Sequence, residues 1–127
     1  MTAERFQSWA RGLFWLAMAG ATTLAVMPRQ PVLPTDVLGD KFNHMLAFTV
    51  MAVLAFLGWP AVSRLKVVFR LSVLGALIEV VQAIPAVHRD SDARDWVADT
   101  VAVLVVALVL GKLARRRVAA AVADAGQ

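Results

Sequence analysis

The chain has 127 residues, 60% of them apolar and only 17% charged, with a mean hydropathy of +0.69. One soluble domain of this length lacks the interior to hide that much apolar side chain, and intrinsic disorder requires the opposite composition. Without cysteine there are no disulfides, thiolate metal sites or thiol nucleophiles. The formal net charge is +4, but the basic residues adjoin apolar segments, which favours anionic lipid headgroups and excludes a nucleic-acid reading.

Four apolar blocks follow one another, at about 10–27, 42–59, 67–84 and 96–113. Each approaches the ~20 residues that a helix needs to cross ~30 Å of hydrocarbon. None shows the period-two alternation of a membrane strand, and backbone in lipid must bond within its own segment. The expectation is all-α: an integral membrane bundle of four transmembrane helices, forming one domain over 1–127 with a basic tail at 114–127. Trp9, Trp59 and Trp96 flank the blocks where interfacial aromatics sit. Pro28, Pro31 and Pro34, then Pro60, then Pro85 mark the three joints, since proline lacks an amide donor and restricts the residue before it. Short joints imply neighbouring antiparallel helices.

Lysine and arginine set the orientation. Arg5, Arg11, Arg64, Lys66, Arg70, Lys112, Arg115, Arg116 and Arg117 fall on one side; Arg29, Lys41, Arg89 and Arg94 fall on the other among five aspartates. Both termini are therefore expected in the cytoplasm of a multi-pass inner-membrane protein, with the tail against anionic headgroups. Arg5, Arg11 and the small residues Ala19-Gly20-Ala21 also fit a cleavable signal peptide; cleavage would leave three spans and the same sidedness.

The other ionisable residues gather at the non-cytoplasmic ends of spans two, three and four. Asp40 and His44 are i,i+4, Glu79 and Gln82 i,i+3, and Asp95 and Asp99 i,i+4, so each pair shares one helix face. The 1.5 Å rise places His44 about 6 Å below Asp40, and Asp99 about 6 Å past Asp95. An acidic group facing lipid costs about 2.5–3.5 kcal/mol, so Glu79 and Asp99 are expected to face inward. The result is a shallow polar cup with two open readings. In one, Lys41, Arg89 and Arg94 pair with Asp40, Asp92, Asp95 and Glu79 and merely clamp the loops. In the other, the cup is a ligand site. His88 reads as an exposed bystander, and Arg11 and Arg70 as snorkelling side chains.

At these residues the chain resembles the VanZ-like family of small bacterial membrane proteins. The resemblance rests on Asp40-Lys41-Phe42-Asn43-His44, Glu79-Val80-Val81-Gln82, and Arg89 through Asp95-Trp96-Val97-Ala98-Asp99, in order on three consecutive spans. It covers about 39–106; the first block and the tail carry no signature. Asp99 stands where the family often has Asn, and Ala102 and Val106 where small residues, usually Gly, tend to follow. The family takes its name from a protein linked to low-level resistance to the glycopeptide teicoplanin. The resemblance implies an inner-membrane protein with a role in the cell envelope, and no defined reaction.

Three function classes follow. In the first, the cup binds or modifies an envelope lipid or lipid-linked precursor: Arg89 and Lys41 hold a phosphate, with Asp40, Gln82 and Asp92 as further binding residues. His44, Glu79, Asp95 and Asp99 then serve as acid–base groups or as oxygen-rich ligands of a divalent cation, a donor set suiting Mg²⁺, Ca²⁺ or Mn²⁺ better than zinc. The second class is a non-catalytic structural or accessory membrane subunit. The third is a small proton-coupled exporter using Glu79, disfavoured because nothing comparable lines a path to the cytoplasm.

Overall fold

The computed structural model describes residues 2–28 and 31–125. Among them are four α-helices: α1 (Ala3–Val26), α2 (Asp40–Gly58), α3 (Arg64–Gln82) and α4 (Ala93–Ala125), with short 3₁₀ turns at Pro34–Leu38 and Pro85–Val87 and no strand. Arg29, counted above with the first loop, and residues 126–127 of the tail lie outside the described residues.

The boundaries follow from local chemistry. Thr2 and Ser63 cap α1 and α3, accepting from the amides of Arg5 and Lys66. The helices end within a few residues of Pro28, Pro60 and Pro85, as the prolines predict. α4 differs from its expected span: it runs on through the basic tail to Ala125. No proline interrupts 112–125, and that stretch is rich in alanine and arginine, both strong helix formers.

The helices run up and down as a bundle. Gln82 at the end of α3 donates to the Ala25 carbonyl at the end of α1 (2.8 Å), and Arg11 near the start of α1 donates to the Gly58 carbonyl at the end of α2 (2.7 Å). α2 packs broadly against α1 and α4, and α3 against α4. Phe48, Met51 and Val103 are completely enclosed, with Phe14, Leu71 and Ile78 around them. Small residues, Ala52, Ala55, Ala102 and Ala107, are buried at the helix contacts. Gly75 has a definite packing role: a Cβ there would lie 3.3 Å from Trp96 and 3.4 Å from Phe48. Its absence lets Trp96 lie against α3, where the indole N–H donates to the carbonyl and hydroxyl of Ser72 (3.0 and 3.1 Å). Ser72 also shares a hydrogen bond with Thr100 (2.9 Å). At the other end, Trp59 packs edge-on against Phe14 and Trp15, and Arg11 lies over its ring.

α2 and α4 are long and apolar enough to cross a membrane. α1 carries Glu4, Arg5 and Arg11, and α3 carries Arg64, Lys66, Arg70 and Glu79, which lower their hydropathy. All four helices nonetheless turn large apolar side chains outward, among them Leu16, Leu46, Phe69, Leu77, Val101 and Leu108.

Candidate functional site

The polar cluster is built where α2 and α4 begin and α3 ends. Gly39 adopts φ 92°, a left-handed conformation that glycine tolerates best. It turns the chain from the first 3₁₀ segment into α2 with Asp40 in its first turn, where a negative charge complements the helix dipole. Asp36 secures this entry by accepting from the Leu33 amide (2.7 Å) and the Asn43 side chain (2.8 Å). After Pro85–Val87, His88 at φ 54° reverses the chain toward α4. Its imidazole is exposed and contacts the Ala86 carbonyl (2.9 Å), in keeping with a bystander.

Much of the cluster is occupied in holding this end together. Arg89 donates to Asp40 at 3.0 Å, joining the third loop to α2. Lys41 meets Asp95 at 2.9 Å, joining α2 to α4. Glu79 accepts from the Ser91 hydroxyl and the Asp92 amide, both at 2.9 Å, while the Asp92 carboxylate accepts from the Arg94 amide. Buried Gln82 is committed to α1 through Ala25. The two cations expected to hold a phosphate therefore already have carboxylate partners. Asp36, Asp40, Glu79, Asp90, Asp92, Asp95 and Asp99 surround Lys41, Arg89 and Arg94, so this end is acidic while the opposite end is basic.

His44 and Asp99 stand apart. Both are buried, on α2 and α4 respectively. The imidazole Nδ1 lies 3.6 Å from Asp99 Oδ2, and Nε2 lies 4.0 Å from Asp40 Oδ2. Both distances are longer than hydrogen bonds. Asp99 Oδ1 is enclosed with no hydrogen-bond partner, as is Asn43 Oδ1. Buried acceptors are normally satisfied, and leaving one unmet costs about 1–3 kcal/mol.

His44 borders a cleft of about 360 Å³ between α1 and α2. Its polar end is Asp40, Asn43 and His44; Phe48, Val50, Leu24 and Ile78 contribute apolar wall. Asp40 also lines a second, polar hollow of about 340 Å³ with Asp36, His88, Arg89 and Asp90. The site thus joins an apolar slot to an acidic mouth across one aspartate.

The structure brings Asp40, Lys41, His44, Arg89, Asp95 and Asp99 to one end as a set of pairs; Glu79 with Asp92, and Gln82, bond elsewhere at that end. Among the described residues, no group of three or more histidine, aspartate or glutamate side chains is arranged to hold a metal ion. The carboxylates of Asp40, Asp95 and Glu79 are drawn to separate cations, a hydroxyl and an amide. Asn43, Asp36 and Ser91 lie outside the set of candidate site residues that the sequence offers. Asn43, i+3 from Asp40, carried a usable signal, since that spacing puts it on the same face; Ser91 carried none. No protein-family model, curated protein or solved structure matches this chain.

Proposed function

We propose that this chain is a VanZ-like integral protein of the bacterial inner membrane, crossing it four times with both termini in the cytoplasm, and that its outer site binds an envelope lipid or lipid-linked precursor. Four features support the membrane placement: the apolar exteriors of all four helices, the two helices long enough to span, the acidic and basic ends, and the three motif segments placed at one end. The observation that carries the ligand reading is His44, paired with buried Asp99 and bordering an apolar cleft. An acyl or isoprenoid chain suits the slot between α1 and α2. Because Lys41 and Arg89 are already paired, the favoured headgroup donates hydrogen bonds through hydroxyl or amine groups to Asp40, which lines both the apolar cleft and the acidic mouth. His44 then sits between two carboxylates, where an imidazole can exchange a proton with a bound headgroup.

A second reading, a structural or accessory subunit, is favoured by the clamps Lys41–Asp95, Arg89–Asp40 and Glu79 to Ser91 and Asp92. Lipids co-purifying with the protein in mild detergent separate the two. Under the ligand reading, His44→Gln and Asp99→Asn lose a specific lipid while folded yield holds. An unchanged lipid complement in both variants overturns it, and loss of folded protein with no lipid-specific change supports the accessory role.

A further inference from the structure

At the opposite end, α3 begins beside the later part of α4, and a cleft of about 290 Å³ opens between them. Its rim carries Arg64, Lys112 and Arg115, and its walls include Leu65, Leu104 and Leu108. Among the described residues none of these three cations is within ion-pair distance of a carboxylate, in contrast to Lys41 and Arg89 at the other end. Gly111 shapes the rim. A Cβ there would lie 2.7 Å from a guanidinium nitrogen of Arg64, so the missing side chain lets Arg64 lie across α4 toward its basic residues.

We propose that this cleft is a binding site for an anionic phospholipid of the cytoplasmic leaflet. The phosphate sits among Arg64, Lys112 and Arg115, and an acyl chain runs down the wall. Positions 104, 108, 111 and 115 follow i, i+4, i+7 and i+11, one continuous stripe on α4. From Leu104 to Arg115 the helix rises about 16 Å, close to half of the ~30 Å hydrocarbon thickness. The groove therefore matches a single leaflet, apolar along its length and cationic at its end. An arginine is suited to phosphate by its planar fork of donors. The inference rests on the membrane placement proposed above but not on the outer ligand site.

Flotation and native mass spectrometry with vesicles of phosphatidylcholine alone, or of phosphatidylcholine and phosphatidylglycerol, test it. The full chain is expected to float with both and to retain phosphatidylglycerol preferentially. R64Q/K112Q/R115Q is expected to float equally well and to lose that preference by roughly tenfold or more. R116Q/R117Q, which leaves the cleft cations in place, is expected to keep most of the preference. G111A displaces only the flexible end of Arg64, so it should fold normally and weaken retention. Equal losses in the triple and R116Q/R117Q variants overturn the site in favour of diffuse tail charge. Flotation without any lipid preference overturns the site while leaving the membrane placement standing; failure to float overturns both.

Discussion

His44 and Asp99 face each other from the parallel helices α2 and α4, Nδ1 to Oδ2 at 3.6 Å, while the second carboxylate oxygen is buried without a partner. The pairs around them are closer, at 2.9–3.0 Å, and lie nearer the surface. A cluster serving only to clamp loops has no need of an unsatisfied acceptor this deeply enclosed. That contrast sets the pairs near the surface apart from the buried one.

Asp99→Asn keeps the shape of the side chain and removes its charge beside His44. Folded yield should be close to that of the parent. Retention of the proposed outer-site lipid should fall by roughly tenfold, because the variant changes the partner of His44, the residue that borders the cleft. Lipidomic analysis of the purified protein measures this directly.

Glu79 is expected to act mainly on stability. Glu79→Ala strips the acceptor from the Ser91 hydroxyl and the Asp92 amide, at about 1–3 kcal/mol. Hydrogen exchange should accelerate at the Asp92 amide and little at the end of α2. Glu79→Gln keeps one acceptor oxygen and should recover part of the loss in a denaturant titration.

Gln82→Ala should free the end of α1 by removing the buried bond to the Ala25 carbonyl. A loss of about 1–2 kcal/mol is expected, together with faster exchange near Ala25. Because α1 forms one wall of the cleft beside His44, lipid retention should weaken as well.

Gly75→Val places methyl groups where Trp96 and Phe48 already lie. Overpacking of this kind costs about 1–3 kcal/mol. It should push the indole off Ser72 and shift its fluorescence; a spectrum of the variant in a background with the other tryptophans replaced by phenylalanine reports the change.

Topology is accessible because the chain has no cysteine. Asp90→Cys in the third loop should react with an impermeant maleimide in spheroplasts. Ala120→Cys, on the extension of α4, should react only after the membrane is opened. The reverse pattern would overturn the proposed orientation.

Local and additive properties carried much of this architecture. Hydropathy placed the four helices, proline placed the ends of the first three, and the partition of arginine and lysine separated a basic end from an acidic one. Helical spacing also put Asp40 with His44 and Asp95 with Asp99, because a fixed rise and turn per residue need no partner helix. Hydropathy does not reveal the continuation of α4 to Ala125, because it reports apolarity, whereas the tail is helical through alanine and arginine propensity.

What tertiary structure alone decided was the pairing. Lys41 chose Asp95 and Arg89 chose Asp40, while Glu79 turned to Ser91 and Asp92 instead of the centre. Those choices depend on how each helix is rotated about its axis, and the rotation is set by contacts such as Trp96 and Phe48 over Gly75. The cleft beside His44 and the basic groove across Gly111 have the same origin. Both are spaces between helices, and their shape is a property of the packed bundle that no single segment encodes.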